Sequence, residues 1–566
     1  MSIKKSFILF VVFTLLILGI TSCKEKPTII STSEFSESSI SEEAFSDTSY
    51  SVESGESSSD NNSEIKSNSD SSTSPNFSIP TGNVSSTLSS ISSTSGSEYK
   101  LEYFNVTSYG AKGTGTVDDS GAIKKAILAA KNADGGIVYL PSGMYLVNSG
   151  IDIPMGVSVR GESPSTVKKW KSPTNLGTSN ITFEQIGVSW LDSSNFSGSW
   201  IIVNHGSGDV DSHATFELQG NSSIYSLGFV HKNSAPIVSK ITIYPPAIGI
   251  KNIASNPYTR DGMTIEDIVL LNAYVGIGVQ AGNGKLLDHQ NGQDADLFSM
   301  GRLRVHDVSG GCTYRGIIMK GLLDTIDLEN VNFGYTNIEK TYVSQRTNNC
   351  ADFEWYRADG SNATNIFSFG AKYGILTTPA FKNGSSSMRL SKAELIGQYP
   401  LYITATGQYE IEDSTFTSIN FNNLCVENDF RPMTVIQDTT SVHQPLYVFN
   451  QLTLINGIKS TSLKDESLRI VTNSPSAPAM VMFSDTVFSG WSPDIQDPII
   501  SYETPSTSYT GLLSFYNCTF KDGISSSGIL FKLTKVPVGG LQFNNCSIPQ
   551  ALINNSANIL NAAWIN

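Results

Sequence analysis

A five-residue pattern recurs along most of this chain: apolar, any, apolar, any, then Asn or Asp. It occurs as Met263-Thr264-Ile265-Glu266-Asp267, Leu303-Arg304-Val305-His306-Asp307, Ile326-Asp327-Leu328-Glu329-Asn330, Tyr409-Glu410-Ile411-Glu412-Asp413, Leu513-Ser514-Phe515-Tyr516-Asn517 and Leu541-Gln542-Phe543-Asn544-Asn545. Alternate apolar residues describe a strand with one buried face. The terminal Asn or Asp suits a sharp turn. Where copies are consecutive they lie 23 to 40 residues apart, the spacing of a solenoid in which each coil covers the last. Stacked coils would bring the turn residues into an Asn ladder. The pattern predicts an all-β solenoid of parallel strands. No second change of composition divides residues 101–566, so they read as one domain despite their length.

The residues before that domain are of another kind. From Lys24 to Lys100 serine dominates and large apolar residues are scarce, so this segment cannot offset the entropy of ordering and reads as a tether. It carries twelve acidic residues against four lysines, a net of −8 within a chain total of −14. The acidity therefore describes mostly a solvated spacer, and it argues against a nucleic-acid partner. Ahead of it, Lys4 and Lys5 precede an apolar run from Phe7 to Ile20 that is short for a transmembrane helix and fits an export signal. The run ends in Ile20-Thr21-Ser22-Cys23. This tetrapeptide resembles a bacterial lipobox, which implies removal of residues 1–22, lipidation of Cys23 and an extracytoplasmic protein anchored to the cell envelope, with surface display as an option.

The domain opens with FNVTSYGAKGTGTVDDSGAIKKAILAAKNADGGIVYLPSGMYLV, from Phe104 to Val147. This opening resembles the pectate-lyase-superfamily right-handed parallel β-helices, the group with rhamnogalacturonase- and epimerase-like domains. The resemblance is dense over residues 104–161 and looser to about residue 430. It implies a single-stranded right-handed parallel β-helix of the pectin-lyase-like type, and a polysaccharide as partner. Within the opening, Asp118 or Asp119 can cap a helix whose stripe Ile123, Ala126, Ile127 and Ala130 has helical spacing. Such a helix would cover the open end of the stack and protect an unpaired sheet edge, and a capped solenoid predicts a monomer. Gly110, Gly113 and Gly115 match no nucleotide-binding fingerprint and read as turn residues.

Removing Cys23 leaves five cysteines, Cys312, Cys350, Cys425, Cys518 and Cys546, an odd number that argues against a disulfide framework. Cys518 and Cys546 each follow a corner Asn, which places them in register on neighbouring coils. They read as small buried hydrophobes, with a bond between them the lesser alternative. No Cys/His spacing suggests zinc, and no EF-hand spacing suggests calcium, so no metal or other cofactor is assigned, although Ca²⁺ is left open.

Two signatures of the resembling family are missing: aspartates on an Asn-Thr-Asp strand with Gly-His-Gly, and Arg-x-Pro-x-x-Arg. The nearest approaches are Asn204-His205-Gly206 and Arg431-Pro432. Aligned on the small residue that begins the next strand, the coils read Tyr274-Val275-Gly276, Tyr314-Arg315-Gly316, Lys372-Tyr373-Gly374 and Gln398-Tyr399-Pro400, with no carboxylate. A column of tyrosines with Arg315 and Lys372, extended by outward Lys320, suits sugar stacking and neutralisation of an anionic group. Abstraction of a proton beside a uronate carboxylate needs such a cation and a base such as Tyr, Lys or His. The competing constellation is Glu266, His306 and Glu329, outward on the repeated strand. If the three strands stack consecutively, the two glutamates stand about 9.5 Å apart, the wide end for an inverting pair, though alternating charge also stabilises a solvated sheet face. A third cluster is Glu354, Arg357 and Asp359 around Trp355 and Tyr356, read as loop packing or sugar contact. Asp288-His289 and a Trp170–Trp200 loop with Trp190 and Phe196 add weaker signals. These residues together predict a lyase acting on an acidic, uronate-containing glycan. The alternatives are a glycoside hydrolase of the same fold and a non-catalytic glycan-binding or adhesive surface protein.

Overall fold

The computed structural model describes residues 102–166, 196–231, 243–251, 262–280, 302–320, 325–335, 338, 342–356, 358, 360–379, 386–421, 424–427, 429–437, 444–457, 468–472, 477–489, 498–503, 511–521, 529–533 and 541–549. Cys23, Trp170, Trp190, Asp288, His289, Arg357 and Asp359 lie outside them. The described chain is almost entirely β, and all its strand pairs but one two-stranded ribbon are parallel.

Each strand pairs with the strand one coil before it and one coil after it, and three ladders result. The first contains the repeated pentads, with Thr264, Arg304, Asp327, Asn362, Arg389, Glu410, Val448, Met482, Ser514 and Gln542 in register. The second follows the corner, as in Asn332, Phe367, Glu394, Thr415, Thr453, Val487 and Thr519. The third runs through Ile151, Phe216, Ile248, Ile277, Ile317, Phe353, Ile375, Leu401, Met433, Leu468 and Ile500. Every side chain of this third row is buried, so one continuous apolar column runs through the stack. Alternation does the rest, because period-2 strands send the intervening residues outward.

The corner between the first two ladders explains the pentad. Asp267, Asp307, Asn330, Asp413, Asn517 and Asn545 all adopt left-handed backbone, with φ between 47° and 55°, a conformation that Asn and Asp tolerate best after glycine. Asn365, Lys392, Gln451 and Asp485 hold the same conformation; Lys392 and Gln451 take the corner on two coils where the pattern breaks. The ladder is real over part of its length: Asn330 Nδ2 donates to Asp307 Oδ1 at 3.2 Å and Asn545 Nδ2 to Asn517 Oδ1 at 3.1 Å, with Asn365–Asn330 and Asn517–Asp485 bonds continuing it.

The helix Ser120–Asn132 buries Ile123, Ala126, Ile127 and Ala130 against the core. Of the two aspartates able to cap it, Asp118 does so. Asp119 occupies the cap position, yet its carboxylate accepts from the backbone of Lys112 at 2.6 Å and Gly113 at 3.1 Å, holding the preceding turn. Asp118 instead takes the first helical amide, Ser120 N–H, at 3.0 Å. Gly110, Gly113 and Gly115 sit at φ 104°, 61° and 75°, as turn residues do. All five described cysteines are free thiols. The Thr519–Ser547 bridge places Cys518 beside Cys546 on the next coil.

Candidate active site

The site is built on the outward side of the third ladder and on the corner that leads into it. Register puts Val275, Arg315, Ala351, Tyr373 and Tyr399 side by side on five successive coils. The sequence alignment of these coils holds, but it skipped one. Between Tyr314-Arg315-Gly316 and Lys372-Tyr373-Gly374 lies Cys350-Ala351-Asp352, so the column does contain a carboxylate. The coil was missed because helix Val343–Asn349 replaces the usual approach to its strand.

Asp352 is fully buried, and Arg346 from that helix meets it with two bonds, Nη1–Oδ1 at 2.7 Å and Nη2–Oδ2 at 2.6 Å. Ser368 Oγ donates to the same carboxylate at 2.6 Å, and Arg346 also donates to the carbonyls of Cys312 and Phe369. A charge pair so completely satisfied fixes the helix against the coil.

Arg315 is nearly buried and its Nε donates to Glu354 Oε2, while Nη1 donates to the carbonyls of Tyr314 at 2.8 Å and Asn349 at 2.9 Å. Its guanidinium carbon stands 4.0 Å from the centroid of the Tyr314 ring. Glu354 lies between core residues Phe353 and Trp355 in a strand, not in a loop, and accepts from Tyr356 Oη at 2.8 Å. Tyr274 stacks on Tyr314 at 5.0 Å and 11°. Tyr244, Val275, Ile318 and Tyr356 complete this aromatic patch, against which Val210 packs. Lys320, expected outward, is buried at 3% exposure beyond Ile318. Tyr314 is the half-exposed member of the group.

Two coils on, Lys372 pairs with Glu427 at 2.6 Å and lies 5.4 Å from the centroid of Tyr373. Tyr373 stacks on Tyr399, which donates to Glu427 Oε2 at 3.2 Å, and Tyr402 closes the group edge-on to both. Burial pushes the Tyr274 phenol up to about 12. Burial also raises Tyr356, Tyr373 and Tyr399, with help from Glu354 on Tyr356, from Tyr402 on Tyr373 and from Asp429 and Glu427 on Tyr399. These phenols are proton donors at neutral pH.

Glu266, His306 and Glu329 stack consecutively in the first ladder, which meets the condition set for that constellation. His306 Nε2 is 3.1 Å from Asp327 Oδ2, and Nδ1 is 4.0 Å from Glu329 Oε2. Farther along this face Asn362, Thr364, Arg389, Ser391, Glu410 and Glu412 line a polar groove of about 470 Å³, with Arg389 and Glu410 paired at 3.1 Å. The structure thus separates the two constellations onto different faces. Trp200, assigned to a loop by the sequence, lies in strand Ser199–Val203 and is fully buried.

At the N-terminal end of the third ladder stands a group that spacing alone concealed. Asp152 and Glu217 are register neighbours, and His213 from the intervening connection lies against both: Nε2 is 3.1 Å from Asp152 Oδ1 and Nδ1 is 3.7 Å from Glu217 Oε2. His205 contacts Thr215 Oγ1 at 3.2 Å, and His231 packs 5.0 Å from Tyr244. The signal available in the sequence was the crowding of three of its six histidines into residues 205–231.

Residues 103–196 match the family of rhamnogalacturonase A/epimerase, pectate lyase-like proteins. That match covers the opening of the domain, and it is over this segment that the chain is similar to pectate-lyase-like proteins. Alginate lyase 7 of Azotobacter vinelandii is 51% identical over 59 residues, which are 10% of this chain and 7% of that protein. Mannuronan C5-epimerase AlgE3 of the same organism is 55% identical over 47 residues, 8% of this chain and 3% of that one. The chain therefore spans under a tenth of the length of these curated relatives. Among solved structures, the A-module of the Azotobacter vinelandii mannuronan C-5 epimerase AlgE4 superposes with a TM-score of 0.41 at 14% identity, covering 79% of this chain and 100% of that one.

Proposed function

We propose that this protein is a lyase of an acidic, uronate-containing polysaccharide, held outside the cytoplasm by a lipid on Cys23 and working as a monomer. The fold proposed with it is a single-stranded right-handed parallel β-helix whose N-terminal end is capped by helix Ser120–Asn132. The observation that carries the reading is the adjacency of Tyr314-Arg315 and Lys372-Tyr373, with only the coil of Ala351 between them. The relatives named for alginate and mannuronan chemistry agree with an acidic substrate.

In the proposed reaction Lys372 exchanges Glu427 for the uronate carboxylate and neutralises it, making the neighbouring C5 proton more acidic. Tyr314, half-exposed beside the guanidinium, takes that proton as its phenolate, its own phenolic proton having first been released to solvent. The released electron pair forms the C4–C5 double bond, the C4–oxygen bond breaks, and Tyr373 protonates the departing oxygen. Arg315 and Glu354 act behind Tyr314 as positioning residues, and buried Tyr274 and Tyr399 hold the Tyr314 and Tyr373 rings by stacking on them. Glycan binding without turnover is the second reading, favoured by one observation: the Arg315 charge is already matched by Glu354.

The test is incubation of the full chain with uronic-acid and neutral polysaccharides, following both ultraviolet absorbance of the unsaturated product and new reducing ends. Both signals are expected, and Tyr314→Phe should lower kcat about 100-fold or more. Reducing ends alone would move the assignment to Glu266 and Glu329 as hydrolytic carboxylates. Neither signal, with retention on a glycan column, would leave the binding reading.

A further inference from the structure

We propose that Asp152, His213 and Glu217 form a binding site for a divalent transition-metal ion at the N-terminal end of the third ladder. Among the described residues they are the one group whose three donor atoms converge within 4.8 Å.

The argument starts from the histidine. His213 Nδ1 is 2.7 Å from the carbonyl oxygen of Ala214, and Nε2 is 3.1 Å from a carboxylate oxygen of Asp152. Both oxygens are acceptors only, and a neutral imidazole has one N–H to offer. With that N–H donated to Ala214, the Nε2 lone pair faces the Asp152 carboxylate. A proton on Nε2 or a metal ion bound there relieves that opposition, and the contact of Nδ1 with a backbone carbonyl is the outer hydrogen bond that metal-ligating histidines make. The spacing agrees: two bonds of about 2.1 Å meeting near the tetrahedral angle span roughly 3.1 to 3.5 Å.

The surroundings are shaped to hold the ring. A Cβ on Gly150 would stand 2.2 Å from His213 Nδ1 and 2.7 Å from Ala214 O, so the imidazole lies against bare backbone. Glu217 is buried, with 4% side-chain exposure, whereas Asp152 is 58% exposed and leaves an entry from solvent. One imidazole with two carboxylates favours Zn²⁺, Co²⁺ or Ni²⁺ over Ca²⁺, which takes oxygen ligands.

The full-length chain, stripped with chelator, would be titrated with Co²⁺ while its visible d–d absorption is read, then with Zn²⁺ as competitor. The expected result is one saturable site per chain, displaced by Zn²⁺, with a higher Tm for the loaded protein. His213→Ala and Asp152→Asn should each weaken binding about tenfold or more, and Glu410→Gln on the opposite face should change nothing. Should His213→Ala fail to fold, Asp152→Asn at an exposed position decides the matter. The proposal is overturned by the absence of a d–d band, by a band unchanged in the folded variants, or by displacement with Ca²⁺ as effective as with Zn²⁺, which would mean an acidic cluster only.

Discussion

At the scale of single residues, buried charge sets the sharpest constraints. Arg346 and Asp352 are both inaccessible and satisfy each other with two bonds, so removing one strands the other. Asp352→Ala is expected to cost about 3–5 kcal/mol, read as a shift in the denaturation midpoint, whereas Arg389→Ala on an exposed pair should cost under about 1 kcal/mol. Histidine burial gives a pH dependence of definite sign. Burial lowers His205 to about 4 and His231 to about 3, while an unfolded histidine titrates near about 6.5. Below that pH the unfolded chain binds protons that the folded chain refuses, so stability is fully present above about 6.5 and declines as pH falls toward about 4. The Tm should fall over that window, and His231→Gln should flatten the fall; an unchanged slope would remove His231 from the account. None of this was legible in the sequence, where Asp352 lay on a skipped coil and the histidines lacked a regular spacing.

At the scale of elements, the corner and the strand that precedes it are one device. The strand supplies alternation, and the left-handed residue turns the chain into the next ladder. Asn330 holds φ 55° and bonds to Asp307 and Asn365. Asn330→Ala is predicted to destabilise by about 1–2 kcal/mol, the cost of left-handed backbone for a residue with Cβ. Asn330→Gly should cost less, since glycine keeps the conformation and loses only the side-chain bonds. Equal losses in chemical denaturation would mean that the ladder, not the backbone, carries the effect. Helix Ser120–Asn132 was legible from its apolar spacing, and its buried stripe is the expected one. Which of the two aspartates caps it was settled by folding: Asp118 takes the first amide, and Asp119 is drawn to the Lys112–Gly113 turn.

For the whole molecule, stacking makes stability nearly one-dimensional, each coil supported by its two neighbours. The strand Leu541–Asn544 has half-buried and exposed side chains, whereas the central row from Phe216 to Leu468 is inaccessible. Hydrogen exchange should therefore be fastest at Leu541–Asn544 and slowest in Ile317–Met319 and Phe353–Trp355; uniform protection would contradict a stack that opens from its end. The sequence by itself determined the architecture, because alternation, a corner residue and coil length are local properties that each strand states for itself. It also determined that Tyr314-Arg315 and Lys372-Tyr373 share a column, since register follows once the coils are aligned. Only the tertiary structure decided which charges meet. The Arg315–Glu354 and Arg346–Asp352 pairs join residues 39 and 6 positions apart, and His213 meets Asp152 across 61 positions; those meetings depend on side-chain direction and connection path, which no periodic pattern encodes.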